Sequence, residues 1–163
     1  MPEVVIGFIS RVALNPHHGL GTKSHAMLVT DARTILLPWR EGGAILGELI
    51  DAGIVDSDGI ALAGSALNPE TWAKHSGALV IPHSLMKKLL CYRALNTYSL
   101  VLEFKSGQGS RKLSGFLLPS RAYLRRKKRE GTPASKSAFA YAEVVGAVLR
   151  QVAPLAAVLE WRL

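Results

Sequence analysis

The first part of the chain carries short apolar segments separated by turn residues. Residues 4–12 alternate loosely and are rich in β-branched side chains, which is typical of a strand. Residues 25–30 and 33–37 predict two further strands. Asp31-Ala32 between them indicates a hairpin, although it lacks the glycine that two-residue turns prefer. Residues 15–21 are rich in Asn, Pro and Gly, so they predict a loop.

The middle of the chain changes to a helical period. Over residues 41–51, four apolar residues fall on one helical face: Ile45, Leu46, Leu49 and Ile50. Asn68 and Pro69 then have the types preferred at a helix cap and first turn, so a short helix is expected to begin there.

The pattern returns to that of strands after residue 77. Residues 78–81 predict a strand, and residues 83–90 fit either a short helix or an irregular strand. Residues 98–104 alternate cleanly, with aromatic and leucine side chains on one face. A flexible turn and a return strand at 111–117 complete the clearest hairpin of the chain.

The last part of the chain has a helical pattern. Residues 120–130 predict a helix with Ser120 as its cap, and a strongly amphipathic helix follows up to Val152, ended by Pro154. Its apolar positions are Ala138, Tyr141, Val144, Val145, Val148, Leu149 and Val152. Residues 155–161 fit either a helix or a terminal strand.

Length and composition limit the class of protein. A chain of 163 residues with 48% apolar residues fits one domain, residues 1–163, with a substantial core. Cys91 is the single cysteine, which excludes a disulfide framework and suits a reducing compartment. The N-terminus lacks the features of a signal peptide, and the most apolar stretch carries several charges. We therefore expect a cytoplasmic protein, with peripheral association to a membrane as a further option.

Two segments resemble small prokaryotic pleckstrin-homology-like (GRAM-like) domains. The segment at 27–38, MLVTDARTILLP, is similar to a hairpin of this family with its Val-Thr-Asp-x-Arg turn. The segment at 80–84, VIPHS, is similar to the Ile-Pro-x-Ser step before the middle strands. The resemblance implies an α+β fold in which a bent antiparallel sheet forms a partly open β-barrel, capped by the C-terminal amphipathic helix.

The chain departs from this family in two places. Residues 39–76 exceed what a small domain of this type needs between strands, so we expect a helical insertion there, followed later by C-terminal helices at 120–152. Phosphoinositide-binding members also place several basic residues in the first strand–strand loop. Here that loop contributes only His17 and His18, with Lys23 after it, so the best-known ligand site of the family is not carried over.

The positive charge is concentrated in one segment. The chain has 20 Lys and Arg against 12 Asp and Glu, a formal net charge of +8. Residues 1–84 have a net charge of −3, residues 85–130 of +10 and residues 131–163 of +1. A local block of cations indicates a face that meets anions.

The candidate anion-binding residues form two sets. On the predicted helix, Arg121, Arg125 and Lys128 or Arg129 fall on one face, with Arg126 and Lys127 beside them. Further candidates, which join the set only if the fold brings them together, are Lys87, Lys88, Lys105, Arg111 and Lys112. The competing interpretation is a solvated helix that only keeps the protein soluble.

Catalytic and metal-binding signatures are weak. Five histidines lack zinc-ligand spacing, so no metal or cofactor is expected. Residues 19–24 lack the spacing of a phosphate loop and precede a strand. Cys91 would be activated by nearby cations only if it were exposed; a buried structural thiol is the other interpretation.

Three functions are therefore compared. The first is a non-catalytic binding module whose basic face meets an acidic partner, either an anionic membrane surface or an acidic protein. The second is a non-specific nucleic-acid-binding accessory protein that uses the same face. The third is an enzyme, which the sequence supports least. The scarcity of Asn and Gln, five residues in all, is a mild indication of a thermophilic source. The ligand, the oligomeric state and the role of the insertion stay open.

Overall fold

The computed structural model describes residues 3–15, 23–38, 40, 44, 51, 60–61, 68–95, 97–119 and 121–162. Within these ranges the protein is a mixed α+β domain built on one large open sheet. None of the helices in these ranges combines the length and the apolar content needed to cross a bilayer.

Nine strands form the sheet, in the spatial order β5-β3-β2-β1-β8-β7-β6-β9, and β4 pairs with β1 beside this path. Among the described strands, β6 and β9 run parallel and the other neighbours are antiparallel. The strands are β1 Val5–Asn15, β2 Lys23–Thr30, β3 Arg33–Pro38, β4 Ile60–Ala61, β5 Leu79–Pro82, β6 Met86–Ala94, β7 Thr97–Ser106, β8 Gly109–Leu117 and β9 Leu159–Arg162.

Four helices and one 3₁₀ turn have defined bounds among the described residues. The helices are α1 Pro69–Ala73, α2 Arg121–Arg129, α3 Ala134–Arg150 and α4 Ala153–Ala156, and the 3₁₀ turn is His83–Leu85. The α+β class, the early strands, both hairpins and the two C-terminal helices are thereby confirmed. Residues 83–90, whose pattern fits either a short helix or an irregular strand, contain both, because the 3₁₀ turn leads directly into β6.

The chain end differs from the prediction in one detail. Helix α3 ends at Arg150, with Gln151 as its cap, so Pro154 does not terminate it. Pro154 lies instead in the first turn of α4, where proline is tolerated because the missing amide has no helical partner. Residues 155–161, whose pattern fits either a helix or a strand, include the end of α4 and most of β9. Strand β9 pairs with β6 from Leu89 to Tyr92.

Little of the predicted insertion is described. Asn68 caps α1 as predicted, since its Oδ1 accepts a hydrogen bond from the amide of Glu70 at 3.0 Å. β4, which also falls between residues 39 and 76, pairs with β1 at Phe8 and Ile9. The predicted helix at 41–51 falls mostly outside the described residues, but Ala44 and Asp51, which are described, are helical, as is Arg40 before them. Of the loop predicted at 15–21, Asn15 is the last residue of β1, and the other residues lie outside the described ones, as does Ser120.

The sheet curves around one large core. Inward-facing side chains from both halves of the sheet, such as Met27, Ile81 and Leu100, belong to a single buried cluster. Helix α3 closes this cluster with Tyr141 and Val145. This arrangement explains the clean alternation in β7, because that strand buries one face fully against the core.

A second, smaller core covers the other face of β1, β2 and β3. Phe8, Leu28 and Ile35 are fully buried there, and Trp72 of α1 packs edge-on against Phe8 with ring centroids 5.3 Å apart. The first three strands are therefore buried on both faces. This double burial explains why β2 and β3 have nearly continuous apolar sequences, whereas β7 alternates.

A group of polar residues fastens the β2–β3 hairpin to the start of the chain. Arg33 binds Glu3 through two pairs of atoms, Nε–Oε1 and Nη2–Oε2, each at 2.9 Å, and it also pairs with Glu70. The Thr30 hydroxyl donates to Glu3 at 2.5 Å and accepts from the amide of Arg33. Val4 and Asp31 exchange two further hydrogen bonds. We call Glu3, Thr30, Asp31 and Arg33 the hairpin clasp.

Candidate anion-binding surface

Helix α2 presents cations to solvent on one side and is anchored on the other. Arg121, Arg125, Lys128 and Arg129 are exposed, and their spacing of four and then three or four residues places them along one helical face. Tyr123 is buried, with 3% of its surface exposed. We call these four exposed cations the helical group.

The two remaining cations of α2 have structural contacts. Arg126 and Lys127 lie 5.8 Å and 5.7 Å from the centroid of the Tyr123 ring. Both also pair with Glu130, at 3.8 Å and 3.4 Å. Glu130 partly neutralises their charges, so the six predicted cations of α2 divide into four that face outward and two that brace the helix.

The cations of the strands lie around the turn between β7 and β8. Lys87 donates from Nζ to the Ser110 hydroxyl at 2.5 Å, and Lys105 is the register partner of Ser110. Lys88 and Lys112 both lie opposite Glu103, one from each side. We call Lys87, Lys88, Lys105 and Lys112 the hairpin group; Arg111 faces the inner side of the sheet, in line with Leu113.

The hairpin group and the start of α2 lie at opposite ends of β8. From Arg111 to Leu117, strand β8 covers six residue steps, or roughly 20 Å at the usual rise of a strand. Helix α2 starts beyond Leu117, and Tyr141, which packs on Tyr123, is bonded to Arg11 near that same end. The strand cations thus gather with one another at the end of β8 that lies away from the start of α2.

The outer face of β6, β7 and β8 carries two aromatic side chains, Tyr92 and Phe116, of which the sequence pointed only to Tyr92 as an aromatic residue within the basic segment. Tyr92 and Phe116, each 37% exposed, lie on either side of the buried Ser99, as neighbours in the register. The alternation of β8 could have revealed Phe116, because it falls on the opposite face from Leu113 and Leu117.

The histidines have individual environments. Burial lowers the pKa of His83, whose Nε2 lies 2.9 Å from the Thr34 hydroxyl. His25 is buried too, while His75 lies after α1. Among the residues described, no group of three or more His, Cys, Asp or Glu side chains could hold a metal ion. His17 and His18 lie outside those residues.

Two other sequence candidates are located by the structure. Cys91 is fully buried on β6, and burial raises the pKa of its thiol to about 12. Such a thiol stays protonated at neutral pH, and the interpretation of Cys91 as a buried thiol is confirmed. Lys23 and Ser24 of the glycine-rich segment belong to β2, a strand, which supplies no helix N-terminus for phosphate.

Comparisons of the chain with protein-family models, curated proteins and solved structures found no match. The functional argument therefore depends on the residues and their geometry.

Proposed function

We propose that the protein is a non-catalytic binding module that docks on an anionic membrane surface through the helical group. The observation that carries the proposal is the division of α2 into an outward face with four cations and an inward face held by Tyr123. A helix fixed in this way can approach a flat surface with all four charges at once. Each cation close to an anionic bilayer contributes about 1 kcal/mol to binding.

Leu124 favours a lipid surface as the anionic partner. This side chain is 42% exposed and lies one turn from both Arg121 and Lys128. Exposed apolar side chains among cations can enter the boundary between headgroups and acyl chains. Single-stranded nucleic acid would instead require exposed aromatic rings for stacking, and the aromatic ring of α2, Tyr123, is buried against α3.

We further propose that the fold is of the pleckstrin-homology-like type named above. Two consecutive antiparallel units support this: β1, β2, β3 and β5 in the first, and β6, β7 and β8 in the second. The units join where β1 pairs with β8, and α3 covers the inner core after the last strand of the second unit. β9 and the segment between β3 and β5 are additions to that pattern.

The experiment is co-sedimentation with vesicles of neutral phosphatidylcholine, with and without anionic phosphatidylglycerol, at several salt concentrations. We expect binding only to the anionic vesicles, falling as salt rises. A helical variant replaces the whole helical group with glutamine: Arg121→Gln, Arg125→Gln, Lys128→Gln and Arg129→Gln. Its affinity should fall by about a thousandfold, because four contributions of about 1 kcal/mol are removed.

A matched control carries the same loss of charge at the other group: Lys87→Gln, Lys88→Gln, Lys105→Gln and Lys112→Gln. We expect this control to keep most of the affinity. Equal losses in both variants would mean that net charge alone drives binding and would contradict the proposal. Binding of generic RNA or DNA without binding of anionic vesicles would select the nucleic-acid function instead. Binding of neither would defeat both.

A further inference from the structure

A pocket on the inner side of the sheet lies apart from the helical group. Its volume is about 370 Å³, and its described lining comes from β1, β2, β3, β5, β8 and Gly77. Apolar side chains dominate this lining: Leu14, Leu36, Pro38, Leu79 and Leu113. A concave apolar pocket of this size, with a few polar groups, is typical of small-molecule sites.

The charged residues described in the lining of this pocket are both basic. Lys23 and Arg111 contribute cations, and the described lining includes no Asp or Glu. Lys23 lies opposite Leu14 in the β1–β2 pair, and Arg111 lies two residues before Leu113 on the inner face of β8. Each cation thus lies next to a buried leucine, so one elongated ligand could contact a cation at one end and leucines along its tail.

His25 keeps one wall of the pocket uncharged. Its Nδ1 donates a hydrogen bond to the carbonyl oxygen of Lys23 at 2.8 Å, which fixes the ring. Burial is the main cause that lowers the pKa of His25, and the nearby charge of Lys23 lowers it further. The hydrogen bond to the Lys23 carbonyl raises the pKa, but by less. The imidazole is therefore mostly neutral at pH 7, and among the described lining residues Lys23 and Arg111 carry the positive charge.

We propose that this pocket binds an anion with an apolar tail, such as a medium-chain carboxylate. The carboxylate would meet Lys23 and the planar guanidinium of Arg111, which suits a two-oxygen anion. The tail would contact the leucines. At the roughly 30 Å³ that a water molecule occupies in the liquid, the volume holds on the order of a dozen non-hydrogen atoms, which matches decanoate.

The test is isothermal titration of the whole chain with three probes: decanoate, decan-1-ol and acetate. Decanol has the tail without the charge, and acetate has the charge without the tail. We expect decanoate to bind more tightly than decanol by roughly tenfold or more, because hydrogen bonds to charged groups are the stronger ones. Acetate should give no measurable binding. Equal affinities for decanoate and decanol, or no binding of decanoate, would overturn the proposal.

A double variant separates this pocket from the membrane surface. Lys23→Gln with Arg111→Gln should weaken decanoate binding by roughly tenfold or more, while decanol binding and vesicle binding stay unchanged. The helical variant should show the opposite pattern, losing vesicles and keeping decanoate. Lys23 is exposed and Arg111 is half-buried, and a circular dichroism spectrum that matches the wild type checks that the double variant is folded. Decanoate binding that survives the double variant would contradict the assignment.

Discussion

The Tyr123 hydroxyl donates a hydrogen bond to the backbone carbonyl of Ser137 at 3.1 Å, which ties α2 to the following helix α3. The Tyr123 ring also meets the ring of Tyr141 at a centroid distance of 5.5 Å. The Tyr141 hydroxyl in turn donates to the carbonyl of Arg11 in β1 at 3.2 Å. Two tyrosines thus connect the basic helix with a central strand of the sheet.

Replacing Tyr123 weakens the attachment of α2 to the sheet and leaves the charge of α2 unchanged. Tyr123→Phe removes one hydrogen bond and should lower the free energy of unfolding by about 1 kcal/mol, measured by urea denaturation. Tyr123→Ala removes the buried ring and should cost about 3 kcal/mol or more. We also expect the alanine variant to bind anionic vesicles more weakly, although all its cations remain. Full vesicle binding by this variant would show that α2 needs no anchor.

Gly115 should be intolerant of any side chain. A Cβ atom at this position would lie 1.6 Å from the carbonyl oxygen of Ala13, in the adjoining strand β1. Gly115→Ala must therefore push β8 away from β1, and we expect a loss of about 3 kcal/mol or more in the free energy of unfolding. Gly107→Ala is the matched control, because a Cβ there meets nothing within 4 Å. Similar stabilities of the two variants would disprove the close approach.

Glu3 should make the stability of the protein depend on acid pH. Burial raises the pKa of Glu3, but hydrogen bonds from Arg33 and Thr30, with the charge of Arg33, outweigh that effect and hold it below the usual value. A depressed folded-state pKa stabilises the protein above the unfolded-state pKa, about 4.3 for Glu. This contribution is lost as pH falls through the folded-state value.

Glu3→Gln measures that contribution directly. The difference in unfolding free energy between the wild type and this variant should be constant above about pH 5 and shrink below about pH 4. Urea titrations at several pH values give the unfolding free energies of the wild type and of the variant. A difference that stays the same down to the lowest pH at which both proteins fold would exclude a role for the charge of Glu3.

Cys91 should resist thiol reagents while the protein is folded. Its side chain is fully buried, and burial raises the pKa of the thiol to about 12. Ellman's reagent at pH 8 should therefore react at the rate of unfolding, and immediately in concentrated urea. Since the unfolded thiol ionises near pH 8.5 and the folded one does not, stability should also fall as pH rises above that value. A rapid reaction without urea would contradict the burial.

The parts of the fold that follow one strong local pattern could be predicted from the sequence. The β7–β8 hairpin and α3 have a single buried face, so their periods are clear. β6 was ambiguous because a register shift between Met86 and Lys88 interrupts its alternation. β9 has four residues and pairs with a strand some 70 positions away, a partnership that local pattern does not encode.

In the candidate site, too, local spacing predicts some features, and others depend on tertiary contacts. Helical spacing predicted that Arg121 and Arg125 share a face, and both are exposed on α2. Spacing could not predict that Arg126 and Lys127 lie over the ring of Tyr123. It also could not place the strand cations, because the separation of the two groups depends on where α2 begins relative to β8.

The hairpin clasp affects the register in which β2 and β3 pair. A strand with one apolar face loses its burial when it slips by one residue, so its own pattern fixes the pairing. β2 and β3 are apolar on both faces and would bury nearly as much after such a slip. Glu3, Thr30 and Arg33 supply the missing specificity, because their hydrogen bonds form only at one alignment. A few polar atoms thus select among alignments that the hydrophobic effect leaves nearly equal.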